Sequence, residues 1–253
     1  MRLLITRPEE DGGKLAEQLA ARGHEPVLLP LLEIHFAELP PLPLAGLQAL
    51  IATSRNALRA LRRNAAFAEA RALPVYCVGT ATAGYAAELG FADVRIGAGT
   101  GRDLAVLIPA TARVEAGALL HLTGEHIAFD LAEALSRHGF DVRRAVLYTA
   151  RENAAAGPAL AGLLAAGLDG AILMSPRTAQ VFAGLIEGVP PAHIRGLTCY
   201  CYSQAVAKPL ETVPGLRLSV AAHPNEADLL AIIGDAAISR AMSNHSDELL
   251  GKS

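Results

Sequence analysis

Tryptophan is absent and aromatic residues make up only 4% of the chain, so a ligand platform built on stacking against tryptophan is excluded. There are three cysteines, Cys77, Cys199 and Cys201, an odd number without a C-x-x-C pair. That argues against a disulfide framework or a structural zinc site and points to a reducing cytoplasm. No stretch approaches about 18 uninterrupted apolar residues, and the apolar run in Met1-Arg2-Leu3-Leu4-Ile5 is too short for a signal peptide. The expectation is a protein that is neither exported nor membrane-spanning. An excess of either charge is also missing: 22 Lys and Arg stand against 25 Asp and Glu, a net charge of −3. Nothing in that field would draw the chain to a nucleic-acid backbone or an anionic membrane, so any anionic ligand must be held by local groups.

What is present is a large apolar fraction, 52% against 19% charged, over 253 residues, with mean hydropathy +0.32. Such a chain folds, because it can bury enough apolar surface to offset the entropy of ordering. Leu3-Leu4-Ile5 has the pattern of a short buried strand; Leu15 and Leu19 follow at helical spacing before Gly23, and His24 to Pro30 forms a second strand. The cadence repeats: Leu47–Ala52 into a helix through Leu58 and Leu61, Val75–Val78 into one through Tyr85 and Leu89, Val94–Ile96 into one through Leu104 and Leu107. Alternation of this kind predicts an α/β fold, parallel sheets with helices on both faces.

The second half repeats the first. Leu15-Ala16-Glu17 and Gly23 answer to Leu131-Ala132-Glu133 and Gly139, Ser54 to Ser175, and Tyr76 and Gly79 to Tyr200 and Ser203, in the same order at nearly constant separation. This predicts two α/β halves of similar plan, about 1–116 and 117–240. Pro40-Pro41-Leu42-Pro43 is the clearest internal linker, since proline cannot join a central strand. Residues 241–253 lose the apolar period and read as a flexible tail.

In an open parallel sheet, ligands sit beyond the carboxyl ends of the strands. The residues there are Thr6-Arg7, Thr53-Ser54-Arg55-Asn56, Gly79-Thr80-Ala81-Thr82, Thr123-Gly124-Glu125, Ser175-Pro176-Arg177-Thr178 and Ser203-Gln204. Small hydroxylic residues and glycines suit anions at helix N-termini, where free N–H groups and the helix dipole point outward. The same residues are preferred N-caps, and for any single one capping outweighs ligand binding. Several known motifs are missing. Gly97-Ala98-Gly99-Thr100-Gly101 lacks the G-x-G-x-x-G spacing, and there is no phosphate-binding G-x-x-x-x-G-K-[ST]. His121 and His126 have no third ligand nearby in sequence, so a structural role outweighs a metal site. Ser175 before Pro176 reads as a capped helix start, not a nucleophile elbow. Tyr148 lies at the end of a predicted strand and could hydrogen-bond a departing hydroxyl; the plainer alternative is a half-buried strand tyrosine with a wet hydroxyl.

Taken together, Thr6-Arg7-Pro8 after the first strand, the strand ending in Thr53-Ser54, the Val78-Gly79-Thr80-Ala81-Thr82-Ala83 turn, Gly139-Phe140-Asp141-Val142 through Leu147-Tyr148, Met174-Ser175-Pro176 and the late Pro224-Asn225-Glu226 resemble the uroporphyrinogen-III synthase family, over about residues 1–235. The resemblance implies two similar α/β domains of interleaved connectivity joined by a two-stranded linker. Residues 1–35 plus 150–240 would form one and 37–147 the other, with Pro40-Pro41 and Tyr148 beside a hinge and facing a cleft. The implied reaction closes hydroxymethylbilane, a linear tetrapyrrole, to uroporphyrinogen III with loss of water and inversion of ring D, in a cytoplasmic monomer that needs no cofactor. Arg7, Ser54, Arg55, Thr80, Thr82, Thr123, Gly124, Ser175, Arg177 and Ser203 would hold the acetate and propionate groups, and Tyr148 would assist the leaving hydroxyl. The chain departs from the family pattern at Ser203-Gln204-Ala205-Val206-Ala207, where glycine and paired hydroxyls are common, and at Gln48, where an acid is common. From other classes, a two-lobed α/β module that only binds a small anion would share the architecture. A glycosyltransferase should show a glycine-rich donor-phosphate site or an Asp-x-Asp motif, and neither is present.

Overall fold

The computed structural model describes residues 1–234; residues 241–253, read as a tail, lie outside them. The chain forms two units, Met1–Glu33 with the segment from Glu152 onward, and Ile34–Arg151. It begins with β1 (Arg2–Ile5), α1 (Glu9–Ala21) and β2 (Glu25–Leu28), then passes through β3 (Leu32–Phe36) into the second unit. There follow β4 (Leu47–Ala52), α2 (Arg55–Arg62), α3 (Phe67–Ala70), β5 (Val75–Cys77), α4 (Thr80–Glu88), β6 (Val94–Ile96), α5 (Gly101–Thr111), β7 (Ala118–Gly124), α6 (Leu131–Ser136) and the long β8 (Val142–Glu152). The first unit resumes with α7 (Ala156–Ala165), β9 (Gly170–Leu173), α8 (Pro176–Ile186), α9 (Pro191–Ile194), β10 (Thr198–Cys201), α10 (Gln204–Ala207), β11 (Arg217–Val220) and α11 (Glu226–Ile233).

The first unit is a five-stranded sheet in the order β11-β10-β9-β1-β2, with every neighbouring pair parallel. Leu3, Leu4 and Ile5 are wholly buried, as a central parallel strand requires when both faces are covered by helices. One face packs Leu3 and Ile5 with Leu15, Leu19, Ile172 and the α11 residues Leu229, Leu230 and Ile233.

The second unit is a six-stranded sheet in the order β3-β8-β7-β4-β5-β6. Its two faces are separable by residue. On one, Leu50, Ala52, Leu120 and Leu122 meet α2 (Ala57, Leu58, Leu61) and α4 (Ala83, Ala86); on the other, Ala49, Ile51 and Leu119 meet α5 (Leu104, Ile108) and α6 (Leu131, Leu135). In β8, Ala145 and Leu147 belong to the first face and Val142 to the second. The alternation then breaks. Thr123 of β7 pairs with Val146, but Gly124 pairs with Tyr148, so the register skips Leu147. This is a β-bulge, one extra residue in the bulged strand. Because side chains alternate with period two, the skipped residue moves Tyr148 onto the α2 face with Leu147, whereas strict alternation would aim it at the α5 and α6 face.

Two sequence expectations are corrected here, and one departure from the family pattern is explained. Tyr148 is not at a strand end, since β8 runs on to Glu152. The segment Pro40–Pro43 is not a linker between units; the chain crosses at Glu33/Ile34 and the prolines belong to the second unit. Asn64 clamps them there, its Nδ2 donating to the Pro40 carbonyl at 3.0 Å while its Oδ1 accepts from the Leu42 N–H at 3.1 Å. Gln48, where the family commonly has an acid, is bonded in place within the second unit. Its Nε2 donates to the carbonyls of Arg113 (2.8 Å) and Gly117 (2.6 Å), bonds that an ionised carboxylate could not make.

Candidate functional site

Each sheet ends its strands in short turns that lead into helices, and the residues expected at a site fall on these two carboxyl edges. On the second unit the edge collects Ser54 and Arg55 after β4, Thr80 and Thr82 after β5, Thr123 and Gly124 at the end of β7, and Tyr148 on β8. On the first unit it collects Arg7 after β1, Ser175 and Arg177 after β9, and Ser203 after β10.

The tightest arrangement is in the second unit. Ser54 is the N-cap of α2 and its Oγ accepts from the Ala57 N–H at 3.3 Å. The same Oγ lies 3.0 Å from the Tyr148 hydroxyl, close enough for a hydrogen bond in either direction. The Tyr148 ring rests on Gly124, where an added Cβ would meet Cε2 and Cζ at 2.8 Å. Glycine is required there for this close approach; its φ is not positive. The Glu125 N–H donates to the Tyr148 carbonyl at 3.0 Å. Burial raises the Tyr148 pKa above its ordinary value of 10.0, and the bond to Ser54 pulls it back only in part, so the phenol stays protonated near neutrality. It can therefore donate.

The remaining residues of this edge divide. Thr123 is buried (2% exposed) and its Oγ1 donates to the Gly124 carbonyl at 2.8 Å, so its hydroxyl is spent on the turn. Thr82 is buried within α4, while Thr80 is exposed at its first position. The N-cap of α4 is Gly79, which has no side chain to give, so the first-turn N–H groups are met by no cap. They point, with the helix dipole, at whatever anion approaches.

On the first unit, Ser175 caps α8 as expected, accepting from the Thr178 N–H at 3.1 Å, with Pro176 opening the helix and the Thr178 hydroxyl 2.7 Å away. Arg7 reaches the buried Asp11 carboxylate at 3.3 Å and the Met174 sulfur at 3.3 Å. Its charge is thus partly met within the unit. Ser203 has the extended backbone of an N-cap, but its hydroxyl makes no capping bond. Arg177 lines a shallow groove of about 400 Å³ on α8, with Glu152, Gln180, Val181, Gly184 and Leu185.

Sequence reasoning missed Arg144, whose guanidinium donates to the carbonyls of Gly124 and Glu125, because an arginine on a strand carries no signal until the turn it reaches is known. His121 is buried beside Thr53, its Nε2 3.4 Å from Oγ1. Burial and then the nearby Arg144 charge lower its pKa to about 4, against a smaller raising effect of Asp130. It is a neutral core imidazole. Among the described residues, no group of three or more His, Cys, Asp or Glu could hold a metal ion, and no helix is long and apolar enough to cross a membrane.

Comparison with known proteins gives a consistent set of findings. The family model described as Uroporphyrinogen-III synthase HemD matches residues 13–231. Among solved structures, uroporphyrinogen-III synthetase from Helicobacter pylori 26695 superposes with a TM-score of 0.63 at 20% identity, covering 92% of this chain and 98% of its own. A mutant uroporphyrinogen III synthase from the extremely thermophilic bacterium Thermus thermophilus superposes with a TM-score of 0.58 at 18% identity, covering 96% and 99%. At these identities the two structures speak for the fold. No curated protein matches.

Proposed function

Since the chain belongs to the uroporphyrinogen-III synthase family, we propose that the reacting end of its substrate is placed at the Tyr148–Ser54–Gly124 cluster. The activity is that of a cyclising lyase of tetrapyrrole synthesis: hydroxymethylbilane loses its hydroxyl as water and closes to uroporphyrinogen III with ring D inverted. The terminal pyrrole nitrogen pushes its electron pair toward the hydroxymethyl carbon, the C–O bond breaks, and a delocalised azafulvene cation remains. Water is the co-product and no electrons are exchanged with a partner.

In this reading Tyr148 donates to the departing oxygen. Negative charge that builds on the phenolic oxygen is stabilised by the Ser54 hydroxyl turned as donor. The observation that carries the proposal is the 3.0 Å contact between the two hydroxyls, fixed by a helix cap on one side and by a glycine floor on the other. A neutral phenol suits the task, because a phenolate could only accept.

On the second unit, acetate and propionate groups are met by Arg55 and Thr80 with the uncapped first turn of α4; on the first unit, Arg7, Ser175, Arg177 and Ser203 are proposed as carboxylate partners in their own right. Thr82, Thr123 and Gly124 support the backbone that presents these groups. Holding the flexible chain is the larger task, since the spontaneous closure leaves ring D uninverted and the enzyme must favour one of two attack points on the same ring. A cytoplasmic monomer belongs to the same proposal, its reducing compartment supported by three free, buried thiols.

The test is Tyr148→Phe, supplied with freshly made hydroxymethylbilane, with the products oxidised and the isomers separated. Wild-type protein gives mostly type III. The variant keeps its fold and loses about 100-fold in kcat, the low end of the range for a positioned acid, while type I rises because the spontaneous closure competes. Wild-type kcat in the variant removes Tyr148 from the mechanism, and type I alone from the wild type overturns the assignment.

A further inference from the structure

A bulge leaves backbone groups without their ladder partners, and unless these are held the strand can slip back into register. Beside the bulge in β8, Arg144 reaches across to the turn that follows β7. Its Nη2 donates to the Glu125 carbonyl at 2.8 Å and to the Gly124 carbonyl at 3.1 Å. Arg144 projects from β8 itself, in register with His121 of β7, so one side chain ties the bulged strand to the turn beside it. Thr123 adds its hydroxyl to the same Gly124 carbonyl. On the other side of that turn lies the Tyr148 ring, against Gly124.

We propose that Arg144 is a positioning residue for the cyclisation: by pinning the Gly124 and Glu125 carbonyls it holds the bulge that turns the Tyr148 phenol toward Ser54. It touches none of the reacting atoms. The inference rests on the reading of Tyr148 as donor to the leaving hydroxyl, and it adds the reason why the phenol stands on the α2 face at all. A guanidinium suits the role because its planar fork can serve two carbonyls from one side chain without ever losing its charge.

The test is a double-mutant cycle on the whole chain, combining Arg144→Gln with Tyr148→Phe, with kcat, KM and the ratio of type III to type I product measured for each variant. Arg144→Gln alone is expected to lower kcat about 10- to 100-fold, the loss that follows from a misplacement on the order of 1 Å, with KM nearly unchanged. In the Tyr148→Phe background the same substitution should add almost nothing, since its effect runs through the phenol. Arg144→Lys, which keeps a cation within reach of the carbonyls, should recover most of kcat. Wild-type kcat in Arg144→Gln, or an equal further loss in the Tyr148→Phe background, overturns the inference while leaving the role of Tyr148 intact. Wild-type kcat in Tyr148→Phe overturns the underlying reading instead. Should Arg144→Gln fail to fold by thermal melting, Arg144→Met in both backgrounds completes the cycle: a kcat loss that vanishes with Tyr148→Phe supports the inference, and one that persists, or wild-type kcat in Arg144→Met alone, refutes it.

Discussion

Replacing Gly124 with alanine tests the site through a single methyl group. An added Cβ would lie 2.8 Å from Cε2 and Cζ of Tyr148 and 3.1 Å from its hydroxyl, where carbon atoms settle at about 3.5–4.0 Å. The ring must therefore retreat by roughly 1 Å. The backbone is not the obstacle, because Gly124 has no positive φ. The phenol now stands 3.0 Å from Ser54, so a displacement of that size in the opening direction takes it past the hydrogen-bond limit. Overpacking of this kind costs about 1–3 kcal/mol of stability, and a catalytic group moved by about 1 Å costs on the order of 100-fold in rate. The assay is kcat, KM and isomer ratio, beside a thermal melt; kcat should fall about 100-fold with KM little changed. Gly84→Ala is the control, since a Cβ there meets nothing within 4 Å and alanine in a helix is expected to stabilise by about 0.5–1 kcal/mol. A folded Gly124→Ala enzyme with wild-type kcat would refute the claim that the ring is held where the reaction needs it.

Other expected outcomes follow from burial and capping. His121 has its pKa lowered to about 4 in the fold against about 6.5 when unfolded, so the unfolded chain takes up a proton that the native one refuses as pH falls between those values. Stability should thus drop on acidification from about 6.5 to 4, by up to roughly 3 kcal/mol from this residue, and stay flat above about pH 7. Urea melts of wild type and His121→Gln across that window check it; equal pH slopes would rule it out. The thiols of Cys77 and Cys201 are pushed up by burial to about 12 and about 11, and that of Cys199 is raised further by burial and then by Cys201. A disulfide reagent at pH 8 should leave all three untouched in native protein and titrate all three in urea. Asn225 caps α11 by accepting from the Asp228 N–H at 2.8 Å, so Asn225→Ala should cost about 1 kcal/mol in a melt and leave kcat unchanged. A lowered kcat would mean that α11 takes part in the site.

The parallel sheets, the helix starts and the carboxyl-edge turns were legible because each depends on local signals that tertiary contacts reinforced. Ser54 and Ser175 each precede an amphipathic or proline-opened helix, and both accept an N–H three residues on. Leu3-Leu4-Ile5 is uniformly apolar because both of its faces are covered. What was not legible has a common physical origin in contacts made only in the fold. Pro40–Pro43 looks like a linker from composition, yet Asn64, distant in sequence, and the packing of Leu42 on the core hold it to the second unit. Thr123 stands at a strand end where a ligand residue is expected, and the fold adds that its hydroxyl donates to the Gly124 carbonyl.

The bulge in β8 is the clearest case of what a one-dimensional pattern cannot carry. Val142 to Thr149 reads as an ordinary strand, and period-two alternation applied throughout would put Tyr148 on the face of α5 and α6, away from Ser54. One skipped residue reverses this. The reversal is stable because Leu147, 2% exposed, finds a place in the core with Leu50 and Leu122, because its carbonyl accepts from the Ala37 N–H, and because the turn beside the bulge is tied by Arg144 and Thr123. Local propensity opposes none of it, so no residue announces the bulge. The candidate site thus depends on a register choice made by packing and, in the proposal above, by one arginine, and the chemistry proposed for Tyr148 lasts only as long as that choice holds.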